Sequence, residues 1–162
     1  MASWTFTPTH DPMTAPTVPY FEDARADFAP YYRSRKTIKQ AKQDVTTNLG
    51  LLGAALIEFR EGTFEINQQS RKGYEVVFNW VGNMGVMRVA GLPMHSRTAV
   101  KEDQVKIQAL LNLADWLKAS ITQRTFSPGD TPLLPFLLVD GKRTLAEALA
   151  GGKSLPLLGS GS

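Results

Sequence analysis

The chain has no cysteine, so disulfides, thiolate zinc sites and cysteine nucleophiles are excluded. Histidine is almost as scarce, with only His10 and His95. Two imidazoles without a thiolate fall short of an ordinary zinc ligand set, so neither a metal nor another cofactor is expected. Long apolar runs are missing too. The longest mainly apolar stretch, Leu49 to Ile57, is broken by glycine and lies far below the roughly 20 residues that span a bilayer. No basic-then-apolar leader pattern opens the chain, and no Asn-x-Ser/Thr site occurs. These absences predict a soluble, intracellular protein without membrane contact.

What is present is enough for one domain with extensions. Of 162 residues, 43% are apolar and 20% charged, which supports a real core without covalent staples. The strongest pattern runs from Tyr74 to Ile121. Tyr74, Val76, Phe78 and Trp80 alternate onto one face, while Glu75, Val77, Asn79 and Val81 take the other. Gly82-Asn83-Met84-Gly85 tolerates positive φ and predicts a hairpin turn, with a return strand from Val86 to Leu92 that Pro93 ends. Ser96, Arg97 and Thr98 lead into a stretch without Gly or Pro up to about Gln123. Ile107, Leu110, Leu111, Ala114, Leu117 and Ile121 recur there at helical spacing. Lys101, Gln104, Gln108, Asn112 and Asp115 are expected on the wet side, with Glu102 and Lys106 four apart as a helical ion pair.

Upstream, residues 1–33 read as an extended arm. Pro8, Pro12, Pro16, Pro19 and Pro30 make up half of the prolines, and the charge up to residue 30 is acidic, with Asp11, Glu22, Asp23 and Asp27 against Arg25. The arm still carries Trp4, Phe6, Tyr20, Phe21 and Phe28, aromatic surface that favours docking on the domain or on a partner. The charge then changes sign: Arg33, Arg35, Lys36, Lys39 and Lys42 precede the first acid, Asp44. Ile38, Ala41, Val45 and Leu49 give this stretch an amphipathic helix ending near Gly50 and Gly53. Leu56 to Arg60 and Thr63 to Ile66 alternate around Glu61-Gly62 as a second hairpin, followed by a polar loop from Asn67 to Gly73. Beyond the long helix, Leu133 to Val139 is apolar, and Pro135 makes it an edge strand or a packed irregular segment. Thr144 and Glu147 form a capping box for a short helix. The domain is therefore set at residues 34–150, with 151–162 as a tail whose final Gly-Ser repeat reads as a linker remnant.

Candidate chemistry is sparse. Gly152-Lys153-Ser154 ends like a phosphate-binding loop, but Glu147 stands where that motif needs its first glycine. Gly82 and Gly85 have the spacing of a loop that clamps nucleic-acid backbone, but their flanks read as strands. Glu58, Glu65 and Glu75 could share a sheet face, where solvated pairing with neighbours such as Arg60 is the plainer reading. His95 next to Ser96 does not make a dyad, since sequence neighbours rarely face each other. No enzyme is expected. The basic run is the best lead. Tyr31, Tyr32, Arg33, Arg35, Lys36, Lys39 and Lys42 put phosphate-neutralising charge beside rings that stack on bases, and Arg71, Lys72, Arg88 and Arg97 could extend the patch.

The fold class predicted is α+β: an antiparallel sheet of three to four strands, a short N-terminal helix, a long helix and a proline-rich arm. Across residues 34–121 the helix–three strands–helix order resembles the general layout of double-stranded-RNA-binding domains. That family carries a lysine cluster at the start of its second helix, where this chain has Thr98-Ala99-Val100-Lys101-Glu102-Asp103. No site residue is therefore carried over. The expected function is a non-enzymatic nucleic-acid-binding module, for DNA or RNA. The alternative is a structural or adaptor subunit that self-associates or joins a larger protein assembly through the arm and residues 133–139.

Overall fold

A computed structural model describes residues 18–24, 30–31 and 34–151. Tyr32, Arg33, Trp4, Phe6, Phe28 and the Gly152-Lys153-Ser154 stretch lie outside the described residues, so the expectations placed on them are not addressed by it.

The architecture is α+β, with the order α1 (Ile38–Leu51), β1 (Ala54–Ile66), β2 (Gln69–Trp80), β3 (Asn83–Ala90), α2 (Ala99–Phe126) and α3 (Leu145–Ala150). The three strands form one antiparallel sheet in the order β1-β2-β3. Both long helices start with side-chain caps. Thr37 accepts from the Gln40 amide in a full capping box, and Thr98 accepts from the Lys101 amide. Asn48 Nδ2 donates to the Ala114 carbonyl, and Arg124 donates to the Leu52 carbonyl, so the two helices run alongside each other.

One face of the sheet meets both helices. Val76, Phe78, Met87 and Tyr74 pack there against Ala41, Val45 and Leu49 of α1 and Leu110, Leu113 and Leu117 of α2. A bulge keeps β1 in phase with this core. The register shifts between Leu56 and Glu58, so Leu56 opposite Phe78 and Phe59 opposite Val76 both face the helices while Ile57 is left over. Gly85 lies opposite Phe78, where a Cβ would stand 2.3 Å from the ring.

The expected second hairpin is corrected. Residues 54–66 form a single strand, with Glu61 and Gly62 paired to Tyr74 and Gly73. The turn falls at Asn67-Gln68, both at positive φ (50° and 64°). A two-residue hairpin turn needs that conformation at both positions, and asparagine adopts it more readily than glutamate. Arg71 and Lys72 consequently sit on β2 rather than in a loop. The next turn lies one residue earlier than the glycines suggest, at Val81-Gly82 (φ 52° and 77°). Glu58, Glu65 and Glu75 also fail to gather. Glu58 and Glu75 share the face away from the helices and pair with Arg60 and Arg88, while Glu65, at the opposite parity, faces the other way.

Gln108 is not on the wet side of α2. It is buried, with Oε1 accepting from the Leu92 amide at 3.1 Å and Nε2 donating to the Pro30 carbonyl at 3.1 Å. A polar side chain can be buried where both its ends find backbone partners. Residues 133–139 pack on the chain's own sheet: Leu133 is buried, Leu134–Phe136 make a short 3₁₀ turn, and Leu137 bridges to Gly85 beside β3. Among the described residues, no helix is long and apolar enough to cross a membrane.

Candidate nucleic-acid interface

The residues that the sequence placed in one basic patch are divided by the fold. Arg35 and Lys39 are exposed and carry no ion pair among the described residues. Lys36 is neutralised within its own segment by Asp44, at 2.5 Å. Lys42 turns down toward the sheet, its ammonium 5.4 Å from the Phe59 ring centre and 5.3 Å from that of Tyr74. Tyr31 leaves the basic helix altogether. Its hydroxyl donates to Asp115 Oδ2 on α2 at 2.6 Å, and that bond, with burial adding, raises its pKa.

On the sheet, Arg71 is consumed structurally. Nε donates to the Gly91 carbonyl at 2.7 Å and Nη2 to the Ala90 carbonyl at 3.1 Å, tying the start of β2 to the end of β3. Burial lowers its pKa. Arg88 does not extend the patch either, because it lies on the face away from the helices between Glu75 and Glu147.

A different set of cations converges. Beyond the reach of the apolar core, the helix-side face of the β1–β2 hairpin becomes polar, and Glu61 stands at that boundary. It is ion-paired to Lys106 of α2. Its pKa is lowered chiefly by the hydrogen bond from Lys106, against some burial, with the fields of Lys106, Lys42 and Lys72 adding. Lysines from α1, β2 and α2 thus surround one carboxylate. Lys106 serves this cluster rather than the expected partner Glu102. No local signal could have found it, because Lys106 and Glu61 meet only when the helix lies on the sheet. Tyr74 forms the floor, its pKa pushed up to about 12 by burial, with Glu61 and Asp103 adding. Farther along the hairpin, Lys72 and Arg97 line one cavity of about 200 Å³ together with Tyr20, Gln69 and Ser70.

The arm's acids act at the start of α2. Glu22 accepts from the His95 amide (3.0 Å), the Ser96 amide (3.3 Å) and Lys101 Nζ (3.0 Å). Burial raises the Glu22 carboxyl, but these hydrogen bonds outweigh it and bring the pKa down to about 2. Asp23 meets His95 Nε2 at 3.0 Å, and the Tyr20 ring stacks on the imidazole at 3.8 Å. His95 therefore has an acid, but both side chains are more than half exposed, and Ser96 Oγ accepts from Lys101 instead of meeting the imidazole. That is the geometry of a latch for the arm, not of a nucleophile held by a base. Among the described residues, no group of three or more His, Asp or Glu side chains could hold a metal ion.

Comparison with protein-family models, curated proteins and solved structures finds no match for this chain.

Proposed function

We propose that the chain is a non-enzymatic nucleic-acid-binding module whose phosphate contacts come from three elements rather than from one helix. The observation that carries this reading is the row Lys42–Lys72–Arg97, in which α1, β2 and the approach to α2 each supply a cation without an ion-pair partner among the described residues. Lys42 and Lys72 both act on Glu61, and Lys72 and Arg97 share a cavity wall, so the row is spatially continuous. Arg35, just before α1, and Lys39, in its first turn, are exposed and extend it. Cations spread over a helix, a strand and a helix start fit a backbone that runs across the end of the domain, and each phosphate contact releases counterions.

The test is binding to a duplex and to a single-stranded oligonucleotide across a salt series. Lys72→Ala and Arg97→Ala each lower the slope of log affinity against log salt by about 1. Arg60→Ala, on the far face and paired to Glu58, leaves the slope unchanged. Absence of binding at low salt, or affinity indifferent to salt, removes the reading.

A further inference from the structure

The edge of β3 is only half covered. Leu138 donates its amide to the Met84 carbonyl at 2.9 Å, and Leu137 bridges to Gly85, so residues 137–138 close the first part of the edge. The Gly91 amide donates to Lys72 on β2. Backbone polar groups alternate along a strand, so Gly91, Val89 and Met87 point to β2, and Arg88 and Ala90 point outward. The Ala90 carbonyl is taken by Arg71. The Arg88 amide and carbonyl and the Ala90 amide have no backbone partner outside the sheet among the described residues. Beside this open stretch lies an apolar groove of about 330 Å³ between β3 and α2, walled by Met87, Val89, Ala109, Leu113, Trp116 and Phe136. Trp116 is 40% exposed and meets Phe136 edge-on at 5.4 Å. Open backbone groups beside an apolar groove suit an added extended segment, whose main chain pairs with the edge while alternate side chains fill the groove.

We propose that the occupant is the start of the same chain, with Trp4-Thr5-Phe6-Thr7 adding to β3 as a fourth strand and Trp4 and Phe6 seated in the groove. Three observations carry the choice. The segment has the sequence pattern of a strand: aromatic and β-branched residues alternate with period two, and Pro8 closes the run. The arm is already fastened beside the groove. The Phe21 amide donates to the Pro93 carbonyl at 2.7 Å, and Val18 and Phe21 pack with Leu92 and Val105, two residues past Ala90 and one helical turn before Ala109. The chain is long enough, since the 11 steps from Thr7 to Val18 reach up to about 36 Å.

Amide hydrogen exchange at Arg88 and Ala90 tests this. In the full chain both amides exchange at least about tenfold more slowly than in Trp4→Ala/Phe6→Ala and in a chain lacking residues 2–9. Circular dichroism checks that both variants keep the fold. Equal rates in the full chain and the variants overturn the proposal. So does protection that rises with protein concentration, which would assign the groove to the arm of a second copy. Neither outcome bears on the salt dependence of nucleic-acid binding.

Discussion

The two ends of the β1–β2 hairpin share the same strands and the same face, yet do opposite things. Near the turn into β3, the helix-side face carries Leu56 and Phe78 under α1 and α2, and Phe78 is fully buried. Toward the Asn67-Gln68 turn the same face carries Glu61, Thr63, Glu65, Ser70 and Lys72. Parity along a strand decides which face a side chain takes, but whether that face is core or surface depends on where the helices end. The hairpin outruns its cover, and charge replaces leucine there.

Substitutions at the two ends therefore differ in what they cost. At the covered end, Phe78→Ala removes the largest fully buried side chain and lowers stability by about 3–5 kcal/mol in urea unfolding. Gly85→Ala sets a Cβ against the same ring and costs about 1–3 kcal/mol. Combined with Phe78→Leu, its cost shrinks, a non-additivity that a double-mutant cycle reads directly. Val81 is a β-branched residue at φ 52° on an exposed turn, so Val81→Asn raises stability by about 1 kcal/mol, read as a higher urea midpoint. At the uncovered end the effects are small. Glu61 is about half exposed, so Glu61→Gln changes stability by only about 0.2–1 kcal/mol. Its pH signature is more telling. The folded pKa is lowered, so this contribution is present above the ordinary carboxylate value of 4.5 and fades as pH falls through the lower folded value. The Gln variant loses that acid-side slope. On the proposed reading it also binds nucleic acid more tightly at low salt, because Lys106 is released from its ion pair and a negative charge is removed beside Lys42 and Lys72.

Local chemistry was legible wherever its cause lies within a few residues. The Thr98 and Thr144 caps, the apolar stripe of α2 and the strand alternation from Tyr74 to Trp80 follow from spacing, and the structure has each of them. The hairpin at Glu61-Gly62 went the other way because two candidate turns competed, and only pairing across the whole of β2 separates them. Gln108 shows the limit from another side. Helical periodicity marks it as wet, and no local rule foresees a Leu92 amide and a Pro30 carbonyl arriving at its two ends.

The candidate site divides along the same line. Side-chain chemistry named the cations: the sign change after the arm, the lack of any thiol and the α+β layout follow from the residues and their spacing. Which cations act together was settled by packing. Lys36 found Asp44 eight residues along its own segment, Arg71 was consumed by the carbonyls that end β3 and Arg88 by Glu75 and Glu147, and Lys42, Lys72 and Lys106 met at Glu61 from three elements far apart in the chain. Charge is a property of a residue, whereas a charged surface is a property of neighbours, and neighbours are assigned when helices dock on a sheet and leave part of it uncovered.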